Sequence, residues 1–354
     1  MKRIVLTGGG TAGHVTPNIA LMPGLREMGY EIHYIGSYNG MEKDLIRKEG
    51  VSYYGISSGK LRRYFDLKNL TDPFRILRGY GQAKKILKQI GPSVVFSKGG
   101  FVAVPVVFAA ASLGIPCVIH EADMTPGLAN KLCLKKAACI CCSFEETMKY
   151  LPEGKSVHTG LPIRAELKSG SREEGLRFAG LSGERPVIMV VGGSTGSQNV
   201  NAAVRGILPD LLNDFDVIHL CGAGNVVEGF DGTPGYVQFE YIREQMKDLF
   251  SAADLVISRA GANSVFELLA LAKPNILIPL SAGASRGDQI LNARSFEKQG
   301  FSEVIEEEEL SDEALLALVH KVYRDHEKYR AAMQSSPAGN SVEEVLKVIR
   351  TYSN

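Results

Sequence analysis

The chain carries the same succession of strand and glycine loop twice. Ile4-Val5-Leu6-Thr7-Gly8-Gly9-Gly10 is matched in the second half by Ile188-Met189-Val190-Val191-Gly192-Gly193-Ser194. Two more pairs follow in the same order. Val94-Val95-Phe96-Ser97-Lys98-Gly99-Gly100 answers to Leu255-Val256-Ile257-Ser258-Arg259-Ala260-Gly261, and Leu113-Gly114-Ile115-Pro116-Cys117-Val118-Ile119 to Leu271-Ala272-Lys273-Pro274-Asn275-Ile276-Leu277. Apolar runs alternating with turns and helices call for parallel strands joined by helical crossovers. A repeat of that pattern calls for two similar open α/β domains, each with its ligand site beyond the carboxyl ends of the strands.

Strand-like runs fall at residues 3–6, 32–35, 93–96, 116–119 and 139–142, then at 186–191, 216–220, 255–257 and 274–278. A turn-rich stretch at Gly160-Leu161-Pro162-Ile163 places the boundary between domains 1–161 and 162–340. Residues 341–350 read as an amphipathic helix, within a terminal segment 341–354 able to pack back on either domain. The acidic run 306–309 reads as the start of a solvated surface helix.

Of the 354 residues, 45% are apolar and 22% charged, an ordinary globular balance. No run approaches the ~18 uninterrupted apolar residues of a membrane span. Met1-Lys2-Arg3 leads directly into the first strand, so no signal peptide and a cytoplasmic location are expected. Charge is unevenly divided: residues 1–163 hold 21 Lys and Arg against 12 Asp and Glu, the remainder 19 against 27. A basic half joined to an acidic half suggests that one domain meets an anionic partner. Cys139, Cys141 and Cys142 lack the paired spacing of a zinc site, and they read, with the other three cysteines, as buried thiols.

The first loop, Thr7 to Pro17, has glycines that let backbone amides approach an anion, and a proline suited to a first helical turn. Ile35 runs into Gly36-Ser37 with no acidic residue ending the second strand, which argues against NAD. His14, at the junction of loop and helix, is either a capping residue or a general base, and its titration near neutrality favours the base. The loop Gly192-Gly193-Ser194-Thr195-Gly196-Ser197 offers amides, hydroxyls and a helix start for a diphosphate, without the lysine of an ATP-binding loop. Ser258 to Ser264 opens a further helix, with Glu267 near its first turn, where a carboxylate can accept from both hydroxyls of a ribose. Asp214-Phe215-Asp216 precedes its strand at the far sheet end and reads as a turn rather than a metal site.

Several of these segments together resemble the MurG-like family of glycosyltransferases. The carriers are Gly8 to His14, His120-Glu121-Ala122-Asp123 through Pro126-Gly127-Leu128-Ala129-Asn130-Lys131, Gly160 to Arg164, Gly192 to Gly196, Ser258-Arg259-Ala260-Gly261 with Glu267, and Asp288-Gln289 with Asn292-Ala293. The resemblance spans nearly the whole chain. It implies a GT-B fold, two Rossmann-like domains with parallel sheets facing across a cleft. It also implies inverting, metal-independent and cofactor-free transfer of N-acetylglucosamine from UDP-N-acetylglucosamine to an undecaprenyl-pyrophosphate-linked muramyl-pentapeptide.

On this resemblance the catalytic residues are His14 and Glu121. The donor-binding set is Thr11, Gly13, Arg164, Ser194, Thr195, Gly196, Tyr241, Ile242, Gly261, Glu267, Asp288 and Gln289. The acceptor-binding set is Gly9, Gly10, Asp123 and Asn130. Three positions depart from the family's common pattern: Asp123 stands where Asn is usual, Ala12 for a frequent glycine, and Asp288 where Gln is common. An aspartate accepts where an amide can also donate, so hydroxyl recognition differs there.

Residues 60–88 set nine Lys and Arg against Asp66 and Asp72, with Tyr64, Phe65, Phe74, Ile76, Leu77 and Tyr80 among them. A lipid-linked acceptor favours docking of this segment on an anionic membrane surface, as a peripheral protein at the cytoplasmic face, over a plain solvated helix. No nucleic-acid motif accompanies it. The competing readings are a transferase of related fold acting on another lipid such as diacylglycerol, a UDP-sugar epimerase, and an inactive nucleotide-sugar-binding scaffold.

Overall fold

The computed structural model describes residues 2–59, 68–193, 196–283, 287–336 and 340–353. Two compact units emerge: Met1–Arg164 together with Asn340–Asn354, and Ala165–Gly339. The first unit holds a parallel sheet of β1 (Lys2–Thr7), β2 (Tyr30–Ser37), β3 (Ser52–Ile56), β4 (Val94–Ser97), β5 (Cys117–Glu121), β6 (Cys139–Cys142) and β7 (Ser156–His158). Its strand order is β3-β2-β1-β4-β5-β6-β7. The second holds β8 (Val187–Val191), β9 (Asp216–Leu220), β10 (Tyr236–Phe239), β11 (Leu255–Ser258), β12 (Asn275–Leu277) and β13 (Glu303–Val304), in the order β10-β9-β8-β11-β12-β13.

Strand order reverses between β1 and β4 in one sheet and between β8 and β11 in the other. The glycine loops leaving β1 and β8 therefore each open at a switch point, where adjacent crossovers diverge and leave a crevice. Both sheets are covered on both faces, which is why their central strands are continuous apolar runs rather than alternating ones. In the first unit the two-residue period of β1 divides the core. Ile4 and Leu6 join Val94, Phe96 and Val118 on one face. Val5 joins Val95, Ile119 and Ile140 on the other.

The helix Ser341–Tyr352 belongs to the first of these clusters, although it comes last in the chain. Val345 and Ile349 are fully buried there, and Leu346 packs on Gly24 so closely that a Cβ on the glycine would lie 2.4 Å from Leu346 Cδ1. Lys2 Nζ donates to the Ser353 carbonyl at 3.1 Å, and the Ser93 and Ser353 hydroxyls meet at 2.7 Å.

Four strands escape the apolar-run criterion: β3, β7, β10 and β13. All lie at the edges of their sheets, where one side of the ladder is unpaired and side chains are partly exposed. The acidic run also differs from expectation. Glu307–Glu309 form a short 3-10 turn, and the next helix, Asp312–Arg324, is capped by the Ser311 hydroxyl. Glu307 is not solvated: its side chain is only 9% exposed, because it pairs with Arg259. The six cysteines are buried free thiols. Asp216 opens β9 and forms an ion pair with Arg185 at 2.7 Å. In the basic segment, Lys68–Ile90 is helical, with Phe74 74% and Leu77 67% exposed, while residues 60–67 lie outside the described residues. No helix among the described residues is long and apolar enough to cross a membrane.

Candidate active site

In the first unit the loop after β1 is held from below. The Tyr34 hydroxyl donates to the Gly8 carbonyl at 2.8 Å, and the buried Asn18 amide donates to the Thr7 carbonyl at 3.2 Å. A Cβ at Gly100, where φ is +82°, would lie 2.3 Å from the Gly9 carbonyl oxygen, so this loop and the turn after β4 approach at backbone contact. Glu42, fully buried, accepts from the Ser37 amide at 2.9 Å and the Ser37 hydroxyl at 2.6 Å, beneath Gly9 and Gly10. Beside the loop a pocket of about 650 Å³ is lined by Gly9, Gly10, Tyr38, Asn39, Asp72 and Arg75, among others.

His14 closes the 3-10 turn Ala12–His14, half-buried, with Thr11 Oγ1 3.0 Å from its Nδ1. Gly13 lies in the same turn. A pairing of this kind fixes the plane of an imidazole, and which atom carries the proton follows from the tautomer.

The loop after β5 is organised by Glu121. One carboxylate oxygen accepts from the amides of Ala122 and Asp123 at 2.9 and 3.1 Å. The other accepts from the Gly127 amide at 2.9 Å and from Asn130 Nδ2 at 2.8 Å. Burial pushes its pKa up from the ordinary carboxylate value, partly offset by the Asn130 bond. The structure thus brings Glu121, Asn130 and the backbone of Asp123 together. Behind them, His120 Nε2 donates to the Gly160 carbonyl at 2.9 Å, which leaves Nδ1 to accept from the buried Lys98 ammonium at 2.8 Å. Burial lowers the Lys98 pKa to about 8. Sequence reading passed over Lys98 and Glu42, because neither lies in a pattern that announces a buried charge.

In the second unit, Ser194 and Thr195 lie outside the described residues. Gly196 has φ +76°, and a Cβ there would lie 2.1 Å from the Cys221 carbonyl oxygen, so only glycine fits. Ser197 caps the helix Gln198–Gly206, its hydroxyl accepting from the Val200 amide at 3.3 Å. Gly261 caps the helix Ala262–Ala270, and Glu267 falls in that helix's second turn, half-buried. Asp288 is the first residue of the helix Asp288–Lys298 and buried. Gln289 Oε1 accepts from the Leu280 amide at 3.0 Å, which fixes the amide plane. Asn292 donates to the Ala260 carbonyl at 3.1 Å. Tyr241 is half exposed with the Arg243 guanidinium over its ring at 5.3 Å, and Ile242 follows it, partly buried. Arg164 is the last residue of the first unit before the chain enters the second.

Two doubly wound units, each with a glycine loop at its switch point, form the architecture shared by glycosyltransferases of the two-domain type. The chain belongs to glycosyltransferase family 28, whose N-terminal domain matches residues 4–142 and whose C-terminal domain matches residues 187–349. It is 61% identical over 353 residues, all of both chains, to a Lachnospira eligens protein named UDP-N-acetylglucosamine--N-acetylmuramyl-(pentapeptide) pyrophosphoryl-undecaprenol N-acetylglucosamine transferase. A Lachnoclostridium phytofermentans protein of the same name is 62% identical over 349 residues, 99% of this chain and 98% of its own. The crystal structure of Acinetobacter baumannii MurG matches with a TM-score of 0.77 at 25% identity, over 99% of this chain and 100% of that one. The fold class is GT-B.

Proposed function

We propose that this chain transfers N-acetylglucosamine from UDP-N-acetylglucosamine to a lipid-linked N-acetylmuramyl-pentapeptide, by one inverting displacement without a metal ion. The observation that carries this reading is the full-length 61% identity to a transferase named for that donor and acceptor. The acceptor hydroxyl attacks the anomeric carbon, the bond to UDP breaks, and His14 takes the hydroxyl proton. For Nε2 to serve as the base, Nδ1 carries the ring proton and donates to Thr11 Oγ1, 3.0 Å away. Amides of the 192–197 loop, with Ser194, Thr195 and Gly196, hold the leaving diphosphate, and Arg164 neutralises its charge. Thr11 and Gly13 are assigned to the donor as well.

Glu267 takes the ribose hydroxyls at the helix opened by Gly261, Ile242 and Tyr241 receive the uracil, and Asp288 and Gln289 read the sugar. Gly9, Gly10, Asp123 and Asn130 hold the acceptor, with the adjoining pocket taking part of it. Glu121 serves the reaction by keeping residues 122–130 in place. The test is transfer of labelled sugar from UDP-N-acetylglucosamine to a short-chain lipid-linked muramyl-pentapeptide in the presence of EDTA. Product is expected; none, with UDP still bound, would move the acceptor or the sugar, and product only after metal is restored would end the metal-free mechanism.

The exposed Phe74 and Leu77 beside exposed Arg75 and Arg78 support docking of the basic helix on the cytoplasmic face of the membrane. Flotation with anionic vesicles is expected at about 50 mM salt and loss of it at about 500 mM, because screening shortens the reach of the surface charge. A folded protein that stays at the bottom of the gradient at low salt would refute it.

A further inference from the structure

The second unit contains a buried ion pair that the reaction scheme leaves without a task. Arg259 and Glu307 side chains are each only 9% exposed, with Arg259 Nη2 and Glu307 Oε1 2.5 Å apart. Taking two charges out of water is costly unless their remaining donors and lone pairs are matched. Here they are matched by partners from two different loops. Arg259 Nη2 donates to the Ser197 hydroxyl at 2.7 Å, and Nη1 to the carbonyls of Ile278 and Pro279 at 3.0 and 3.1 Å. Glu307 Oε1 accepts from Asn199 Nδ2 at 2.9 Å, and Oε2 from the Ser281 amide at 3.2 Å.

Ser197 and Asn199 begin the helix that follows the 192–197 loop, while residues 278–281 are pinned from the other side by Gln289 through the Leu280 amide. One pair therefore ties the loop after β8 to the loop after β12. A planar guanidinium with several donors in a rigid fork suits such a junction, and lysine, a point donor, could not replace it. The Glu307 carboxylate completes the junction, both of its oxygens being engaged by these partners.

We infer that Glu307 is a positioning residue: through Arg259 it locks the diphosphate loop and the sugar-reading residues Asp288 and Gln289 into one frame, so that diphosphate affinity and sugar discrimination are set together. This rests on the donor-site assignment made above. Breaking one anchor should loosen both loops, because preorganised ligands at separate loops act together only while their spacing is fixed.

The experiment compares Glu307→Gln with Glu306→Gln in the full chain. Glu306 is the neighbouring acid, more exposed and paired with Arg294 at 2.6 Å on the surface, so it controls for charge in the same run. For Glu307→Gln we expect UDP to bind about tenfold more weakly by calorimetry and the kcat/KM preference for UDP-N-acetylglucosamine over UDP-glucose to shrink about fivefold or more. Amide hydrogen exchange should quicken in residues 196–201 and 280–281 alike. Glu306→Gln should match wild type in all three. Glu307→Asp, which keeps the charge, guards against a variant that merely unfolds and should lie between the two.

UDP affinity within about twofold of wild type, or faster exchange in only one loop, would overturn the coupling. A fall in UDP affinity with unchanged sugar preference would overturn it as well, leaving a local structural role. Wild-type protein that fails to bind UDP would instead refute the donor site, whatever the two loops do in exchange.

Discussion

His14→Ala lowers kcat by about 10²–10⁴-fold, the usual worth of a positioned general base, and leaves UDP affinity in place. The two effects separate because the imidazole sits in the loop after β1, in the first unit, whereas the proposed nucleotide contacts of the base, ribose and diphosphate belong largely to the second. The acid limb of the wild-type pH–rate profile should go with it, since protonation of the imidazole is what removes the base. Thr11→Val leaves the ring but removes its partner at Nδ1, and a smaller loss of kcat, about tenfold, is expected from misorientation of the ring, any lost donor contact of Thr11 appearing in the donor KM instead. Steady-state kinetics with saturating donor, from about pH 5 to pH 9, checks both. Near-normal kcat for His14→Ala across that range would remove the base from the mechanism.

Glu121→Ala should cost about as much in a different parameter, with kcat/KM for the acceptor falling about 10²-fold while UDP binding holds. Four donors converge on this carboxylate: the amides of Ala122, Asp123 and Gly127, and Asn130 Nδ2. Without it each must find water or remain unpaired, at about 1–3 kcal/mol for a buried group. Residues 122–127 should then leave their present path, carrying Asp123 with them, while Asn130 loses one of its two anchors and keeps the His120 carbonyl. Glu121→Gln is expected to fare little better, because its NH₂ group must face one of the two donor pairs. That result distinguishes a loop anchor from a proton carrier. For a proton carrier, Gln would abolish turnover without raising the acceptor KM. Calorimetry with UDP and kinetics at varied acceptor, beside a thermal melt, settle which holds.

The central strands were open to reading because a parallel strand buried on both faces cannot hide its composition. Val187–Val191 and Cys139–Cys142 have no polar residue to confuse the signal. β3 reads Ser-Tyr-Tyr-Gly-Ile and β13 only Glu-Val, and such edge segments owe their form to a neighbour rather than to their own pattern. The glycine loops were equally visible, since backbone approach demands glycine at positions such as Gly196 whatever the ligand.

Buried charge was not visible. A run of four glutamates reads as solvent-facing, and nothing local singles out Glu307, whose partner stands 48 residues earlier. Lys98 shows the same limit: in sequence it is one more polar residue beside two glycines, and only the fold brings the His120 ring 2.8 Å from its ammonium. Glu121 was legible as a candidate residue. Its four converging donors were not, because three of them are backbone amides whose directions depend on the path of the loop.

The helix Ser341–Tyr352 has a consequence for the order in which this chain can be made. Val345 and Ile349 fill the core of a unit whose first strand leaves the ribosome more than three hundred residues earlier. During synthesis, the face of that sheet formed by Ile4, Leu6 and Val94 waits, partly uncovered, while the whole second unit is translated and free to fold. Domains usually complete themselves in order as they emerge. Here the unit begun first is completed only after the second has been translated, and its apolar seam stays open until the helix Ser341–Tyr352 arrives to close it.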